Sequence, residues 1–369
     1  MLNRNVLGLV FPNQHDAALG GLTTHRSLGS VPFGARYRLI DFVLSNMVNA
    51  GIGKIGLATK SNYQSLMDHL GTGKPWDLDR KNGGLYFHPM HMSDAAYSGR
   101  VAPLAAMKLF LRRSQEDYVL MADCDTVGNF DYAALIDRHI ESGADVTVAY
   151  RVGKAPRRED NLLLNVAADG RLSDLCIGTG GEENEAFGIG LYVIRRDLLI
   201  RLVEEAYARN QSSFERDILQ QRQDELTLCG YELKEYAASV YSLASYFEAN
   251  MALLDPAVRA QVFLPARCIY TKVRDCAPAQ YGLHSSVSDS LVGDGAVIEG
   301  SVTRSIVFRD VTVGAGVTLT DCIIMQGSKI RADAKLGYVI CDKNVEVGDA
   351  ASLQGVAHYP VYVKKEMKI

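Results

Sequence analysis

The residues of this 369-residue chain whose types and spacing could do chemistry gather in three places. After the apolar run Val6–Val10 comes FPNQHDAALGG (11–21), where Asn13, Gln14, His15 and Asp16 precede the first glycine, Gly20. In an open α/β sheet, the turn after the first strand is where a nucleotide's phosphates sit on glycine backbone N–H groups. A proline and an acid make a poor cradle there. Without glycine, positive φ and close backbone approach are restricted, and an aspartate facing phosphates repels them. Arg26, Arg36 and Arg38 form a basic cluster, placed either to hold an anionic effector such as a sugar phosphate or to pair with Asp41 and other acids. Asp123 and Asp125 close the run YVLMADCD (118–125). The carboxyl end of a strand is where such sheets place functional groups, so Asp125 either binds a metal ion or, with Asp123, caps the next loop. Cys124 lies between those acids, which should raise its pKa and disfavour a nucleophilic role. The histidines show no metal-ligand spacing, and His88 and His91 in HPMH read as loop residues.

The elements that position these groups change character along the chain. Up to about residue 255, short apolar runs alternate with amphipathic stretches. LIDFVLSNMVNAG (39–51) has helical spacing at Val43, Leu44, Met47 and Val48, with Gly51 as a C-terminal stop, and KIGLAT (54–59) follows as a strand. LAAMKLFLRR (104–113) reads as a helix, YVLMADCD as a strand, and SSFE (212–215) as a capping box. Such alternation predicts a Rossmann-like, mixed but mainly parallel sheet covered on both faces.

Beyond about residue 260 the helical signal gives way to a six-residue beat. Val307, Val313 and Leu319 are six apart, as are Ile324, Ile330 and Leu336, and Cys341, Val347 and Leu353; the three sets are offset by 17. Val292 to Ile298 gives an earlier, less regular turn. That beat, with VGDGAV and VGAGVT between, predicts a left-handed parallel β-helix of hexapeptide repeats over an antiparallel sandwich with coincidental spacing. Gly293, Gly295, Gly314 and Gly316 are then turn residues. The expected domains are 1–255 and 281–369, joined by a linker at 256–280. An open-ended β-helix favours self-association or assembly with a partner.

The length exceeds one comfortable core, consistent with two domains. A formal net charge of −4 gives no electrostatic reason to expect nucleic acid or an anionic membrane as partner. Seven scattered cysteines without a C-x-x-C pair suit a reducing compartment. The apolar run after Arg4 stops at Pro12, too short for a signal peptide, and no segment approaches a membrane span. The expected location is the cytoplasm.

VPFGARYRLIDFVLSNMVNAGI (31–52) resembles the ADP-glucose pyrophosphorylases, the glucose-1-phosphate adenylyltransferases of glycogen and starch synthesis. The resemblance extends through KSNYQSLMDHL (60–70), YVLMADCDTVGNFDY (118–132), SFERDIL (213–219) and SYFEANMALL (245–254). It implies condensation of ATP with glucose 1-phosphate to ADP-glucose and pyrophosphate, with Mg²⁺ as the cofactor of catalytic relatives, and a tetramer. Catalytic members read close to L-A-G-G-x-G-x-R-L in the first loop; here Asn13 and Gln14 replace the paired glycines, Asp16 the third, and Ala18 the arginine. In HRSLGSVP (25–32) Arg26 is kept, but Leu28 stands at the family's lysine. Lys60 stands at a glutamine near the adenine. The lysine that grips the sugar phosphate has no counterpart in LSDLCIGTGGEENEAFG (172–188). Asp125 matches the first metal-binding aspartate, while the second falls on Ser239.

The degenerate set Asn13, Gln14, Asp16, Ala18, Leu28 and Ser239 resembles the family's non-catalytic partner subunits. The expectation is a regulatory subunit, silent or very weak alone, that assembles with a catalytic pyrophosphorylase subunit in a hetero-tetramer. Arg26, Arg36, Arg38 and Lys60 are its candidate effector ligands, for a sugar phosphate or nucleotide. Two alternatives stay open: an active adenylyltransferase in which Arg26, Lys60 and Asp125 carry altered contacts, and a stand-alone sugar-phosphate or nucleotide sensor.

Overall fold

A computed structural model describes residues 5–60, 62–90 and 99–369. Of the residues read above, Arg4 and His91 lie outside the described residues. The first domain is built on nine strands: β1 (Val6–Phe11), β2 (Lys54–Thr59), β3 (Gly84–Pro89), β4 (Tyr118–Asp123), β5 (Val146–Gly153), β6 (Asn161–Val166), β7 (Leu172–Gly178), β8 (Glu185–Arg195) and β9 (Leu228–Glu232). Their spatial order is β7-β6-β8-β4-β1-β2-β3, with β5 pairing β8 and β9. The pairings run β1 to β6 and β9 in one direction and β7 and β8 in the other. β1 lies between β2 and β4 and is buried along its whole length, which is why VLGLVF carries no polar alternation.

Helices cover both faces. α1 (Leu39–Asn49) ends at Ala50, and Gly51 at φ 84 closes it as the spacing predicts. LAAMKLFLRR forms two short helices, Val101–Ala106 and Lys108–Arg113, parted at Met107. At SSFE, Ser213 does cap the following helical turn by accepting from the Arg216 N–H at 3.1 Å. The reciprocal acid, however, is Asp217, which accepts from the Ser212 and Ser213 N–H groups at 2.9 Å each. Glu215 is released for another task.

The second domain has three five-stranded parallel sheets. Val307 pairs with Ile324 and Ile324 with Cys341 on one face, Val313 with Ile330 and Ile330 with Val347 on the next, Leu319 with Leu336 and Leu336 with Leu353 on the third. The six-residue beat is therefore the distance between faces, and the 17-residue offset is one coil. The corners repeat with it: Arg304, Asp321 and Tyr338 all have positive φ, as do Asp310, Gly327 and Asn344, and Gly316, Asp333 and Ala350. The first coil step is shorter, Val292 pairing with Val307, which explains the less regular turn. Between the domains, helix Pro256–Val262 precedes a segment tied down by Asn49, Asn129 and Ser45, which bond the backbones of Cys268, Val262, Arg267 and Tyr270.

One β-helix face is part of the first domain's core: Ile306, Phe308, Ile323, Met325 and Ile340 pack with Tyr246 and Phe247. At the centre of this contact Arg26, 3% exposed, donates to both carboxylate oxygens of Asp342 at 2.9 and 3.1 Å. The Tyr362 hydroxyl donates to Asp342 at 2.9 Å. Gly21 makes the approach feasible, because a Cβ there would lie 2.3 Å from the Tyr362 ring. Gly21 thus serves domain docking, whereas Gly20 has open space around it and a φ of 50.

Removing one partner strands the other charge in a buried site. Asp342→Ala should lower stability by about 3–5 kcal/mol, whereas the double change Arg26→Met with Asp342→Leu should recover most of that loss. Urea denaturation of the two variants checks this; equal destabilisation of both would show that the ion pair does not set the cost.

Candidate functional site

The first loop follows β1 and is knotted on itself. Asn13, 1% exposed, donates to Asp16 Oδ2 at 2.6 Å and Asn62 Oδ1 at 2.8 Å, and its own Oδ1 accepts from the Lys60 backbone N–H at 3.0 Å. Asp16 Oδ1 accepts from the Leu28 N–H at 2.7 Å, and the Gly29 N–H donates to the Pro12 carbonyl at 2.9 Å. A Cβ on Gly29 would lie 2.9 Å from that of Pro12, so the second segment can close on the first only through glycine. Leu28 is fully buried and Ala18 is exposed on the short helical turn.

Asp16 therefore does something other than the repulsion expected of it. Its carboxylate turns back into the loop and accepts the N–H groups that tie residues 13 to 28 together. Burial pushes its pKa up to about 6 despite the bonds from Asn13 and Leu28 that oppose the rise.

Beside the loop, the acids at the end of β4 are met by arginines. Asp125 Oδ2 accepts from Arg158 Nη1 at 2.8 Å. Burial would raise the Asp125 pKa, but Arg158 and His15 outweigh burial and hold it below the ordinary range. Asp123 is paired with Arg100, which also pairs with Glu215, the acid left free by the Asp217 cap. Burial still pushes Asp123 up to about 7, against the pull of Arg100. Arg100 is 3% exposed and lies over the rings of Phe11 and Tyr192 at 5.6 and 5.2 Å. Gly190, at φ 70 beside the irregular step in β8, leaves room for Asp123: a Cβ there would lie 2.2 Å from Oδ2. Burial, with both acids adding, pushes the Cys124 thiol well up, as its flanking residues imply.

The basic cluster divides. Arg26 is consumed by Asp342 in the domain contact. Arg36 and Arg38 instead line a pocket between the domains with Lys272, Arg274, Arg309 and Lys343. The Arg38 guanidinium bonds the Ser65 carbonyl at 2.6 Å, and Asp41 accepts from the Arg38 backbone N–H and His69. Burial, reinforced by Arg38 and Arg26, pushes Lys343 down to about 7. Lys60 is on the other side, at the loop knot.

The structure brings the loop and Asp125 together with Arg100 and Arg158, and Arg36 and Arg38 together with Lys343 and Arg309, four residues that the sequence reading did not single out. They come from four separate segments, and no spacing links them. Ser239 pairs with Thr126, next to Asp125. Magnesium wants a near-octahedral oxygen cage anchored by carboxylates. Here a hydroxyl stands at the second position and a guanidinium holds Asp125 Oδ2, so the residues present do not fit that ion.

A mainly parallel sheet with its acids and loop at the carboxyl edges of β1 and β4, followed by a left-handed β-helix, defines a sugar-nucleotidyltransferase-type protein. Residues 18–255 match the nucleotidyl transferase family model and residues 276–357 the model described as GlmU-like, C-terminal hexapeptide. The glycogen biosynthesis protein GlgD of Bacillus subtilis is 38% identical over 99% of this chain and 97% of its own length. GlgD of Geobacillus stearothermophilus is 36% identical over 86% of this chain and 84% of its own. The glucose-1-phosphate adenylyltransferase of Thermotoga neapolitana is 31% identical over 85% and 76%. The chain belongs to the ADP-glucose pyrophosphorylase family of nucleotidyl transferases, on the side of the GlgD proteins. Among the described residues, no helix is long and apolar enough to cross a membrane.

The raised pKa of Asp16 has a signed consequence. Between the ordinary value of 3.8 and about 6 the native state holds this proton more tightly than the unfolded chain, so the group's contribution to stability falls as pH rises through that window. Asp16→Asn removes the titration. The stability difference, variant minus wild type, should move toward the variant by roughly 2–3 kcal/mol from pH 4 to pH 7. Urea unfolding across that range tests it, and a flat difference would refute the assignment.

Proposed function

We propose that the chain is a regulatory subunit of ADP-glucose pyrophosphorylase in glycogen biosynthesis, catalytically silent or very weak alone, which assembles with a catalytic subunit in a hetero-tetramer in the cytoplasm. The observation that carries this reading is the internal neutralisation of the cleft. Arg158 bonds the acid that corresponds to a metal ligand in catalytic relatives, and the loop side chains of Asp16 and Asn13 are bonded to the backbone N–H groups of Leu28 and Lys60 in the segments that close on the loop. Phosphoryl-type transfer rests on donors and cations aimed at developing charge, and here those groups are already spent on one another. ADP-glucose formation should be undetectable for the pure chain, and higher for an equimolar mixture with the catalytic subunit than for that subunit alone. Robust turnover by the pure chain would overturn the reading.

The pocket of Arg36, Arg38, Lys272, Arg274, Arg309 and Lys343 is the proposed effector site, for an anion of the sugar-phosphate class. Buried nitrogens of Arg309 without hydrogen-bond partners support it, since such groups cost stability unless a ligand or solvent meets them. An anion there restores the charge of Lys343, so binding takes up a proton and weakens as pH rises above about 7. Calorimetric titration with sugar phosphates and inorganic phosphate should show this pH dependence, and a loss of about 10-fold or more in Arg38→Ala or Arg309→Ala. Unchanged binding in both variants would place the effector elsewhere.

A further inference from the structure

A further cavity, of about 570 Å³, shares no lining residue with the cleft or the basic pocket. It is lined by the carboxyl end of α1, at Val48, Asn49 and Ala50, and from two other segments by Pro75, Trp76 and Tyr270. That volume, with a mostly apolar lining and few polar groups, is that of a small-molecule site.

The aromatic lining is fixed by the chain itself. The turn that carries Trp76 starts at Gly73, at φ 83, whose carbonyl accepts from the N–H groups of Trp76 and Leu78 at 3.0 and 3.1 Å. A Cβ on Gly73 would lie 2.8 Å from that of Leu78, so the turn closes only through glycine. Trp76 is 2% exposed, and its ring meets that of His69 edge-on at 5.9 Å. Tyr270, 39% exposed, is tied to α1 through its N–H, which donates to Ser45 Oγ at 2.8 Å. A lining already in place costs a ligand little ordering entropy.

The polar groups set the kind of ligand. Asp77 and Arg80 are the charged residues on the lining, and they meet each other: Arg80 Nη2 bonds the Asp77 carboxylate, and its Nε donates to the Asp77 carbonyl at 2.7 Å. The cavity thus carries no net charge, unlike the basic pocket, and has no reason to select an anion. It does offer acceptors and donors together. The N–H groups of Ala50, Gly51 and Ile52 go to the carbonyls of Asn46, Met47 and Val48, and the final carbonyls of a helix lie beyond its own donors. The Asp77 and Arg80 side chains are 81% and 48% exposed, within reach of a ligand at the rim. Trp76 Nε1 has no hydrogen-bond partner among the described residues, although a buried indole N–H usually has one. A neutral molecule with an apolar face and hydroxyls that both donate and accept is a sugar ring. The C–H groups on the face of a pyranose suit the negative face of an aromatic ring. We propose that this cavity binds a neutral pyranose, as a free hexose or as the end of an oligosaccharide, with Tyr270 as its platform and Asp77 and Arg80 as its hydroxyl partners.

The chain has one tryptophan, so indole fluorescence reports on this lining directly. The full-length protein is titrated with glucose, maltose and maltoheptaose, a choice of probes that rests on the proposed glycogen role, and with galactose and mannose, which do not depend on it. The expected result is a saturable shift with the glucose-based probes and the same Kd by calorimetry. Equal affinity for glucose and maltose identifies a free hexose as ligand, and tighter binding of the longer sugars identifies a chain end. Because His69 also lines the basic pocket, the titration is repeated in saturating inorganic phosphate, where the sugar response should persist. Tyr270→Phe keeps the ring and should bind within about 3-fold of wild type, whereas Tyr270→Ala should weaken binding about 10-fold or more. Asp77→Asn, which keeps a side chain tolerant of the φ of 54 at that position, should weaken it about 10-fold. Circular dichroism melting establishes that each variant is folded. A response to galactose or mannose alone would uphold the site and count against the glycogen role. The proposal is overturned if no neutral sugar gives a saturable response, if adenosine does so and the sugars do not, or if phosphate abolishes the sugar response. Wild-type affinity in Tyr270→Ala would likewise place the sugar elsewhere and overturn it.

Discussion

Charge buried at the carboxyl edge of the sheet is the constraint around which the first domain is arranged. Asp123 ends β4 and Asp125 follows it, 6% and 3% exposed, and a carboxylate taken out of water needs a counter-charge or a proton. The chain answers with its own arginines. Arg100 comes from the start of a helix and Arg158 from a connection between strands, and each draws its segment against the sheet. Glu215 is brought into the same group because Asp217 has taken over its capping task. The cleft is therefore shaped by the neutralisation of acids as much as by the packing of apolar faces.

The first loop follows the same logic with neutral groups. The side chains of Asn13 and Asp16 meet the backbone N–H groups of Lys60 and Leu28, from two other segments, and pin the turn between them. The loop thereby gains order without a ligand, and Asp16 is left with a proton affinity well above that of an exposed acid. Across the molecule, the pocket of Arg36, Arg38, Arg309 and Lys343 shows the opposite imbalance, with cations gathered and few acids to meet them.

Much of this architecture was legible beforehand because it is periodic. Val307, Ile324 and Cys341 stack since a coil of fixed length brings identical faces together, and the beat survives in the sequence as plain counting. α1 was legible from its spacing and Gly51 for the same reason. The loop at 11–21 could be read as unfit for phosphate from residue types alone. That Asp16 would turn inward could not, because its partner is the backbone N–H of Leu28, reached only after the chain has folded back. Arg100, Arg158 and His15 were hidden for a related cause: they meet from distant segments, and long-range ion pairs leave no mark in local spacing. Gly21 was visible as a glycine, but its reason is an aromatic ring more than 300 residues away.

That ring carries a consequence for how such a chain can change. With Tyr362 filling the space a side chain on Gly21 would need, the first loop and the last coil are moulded to each other and bear on the same buried Arg26–Asp342 contact. A lineage that has let them settle together cannot drift back to an open, glycine-lined turn one substitution at a time. Replacing Asn13 would take from Asp16 its shortest hydrogen bond, replacing Asp16 would strand the Leu28 N–H, and shifting Leu28 would disturb the segment that carries Arg26. The docking of a β-helix thus acts as a ratchet on the loop, easy to enter by single steps and open to reversal only by several at once.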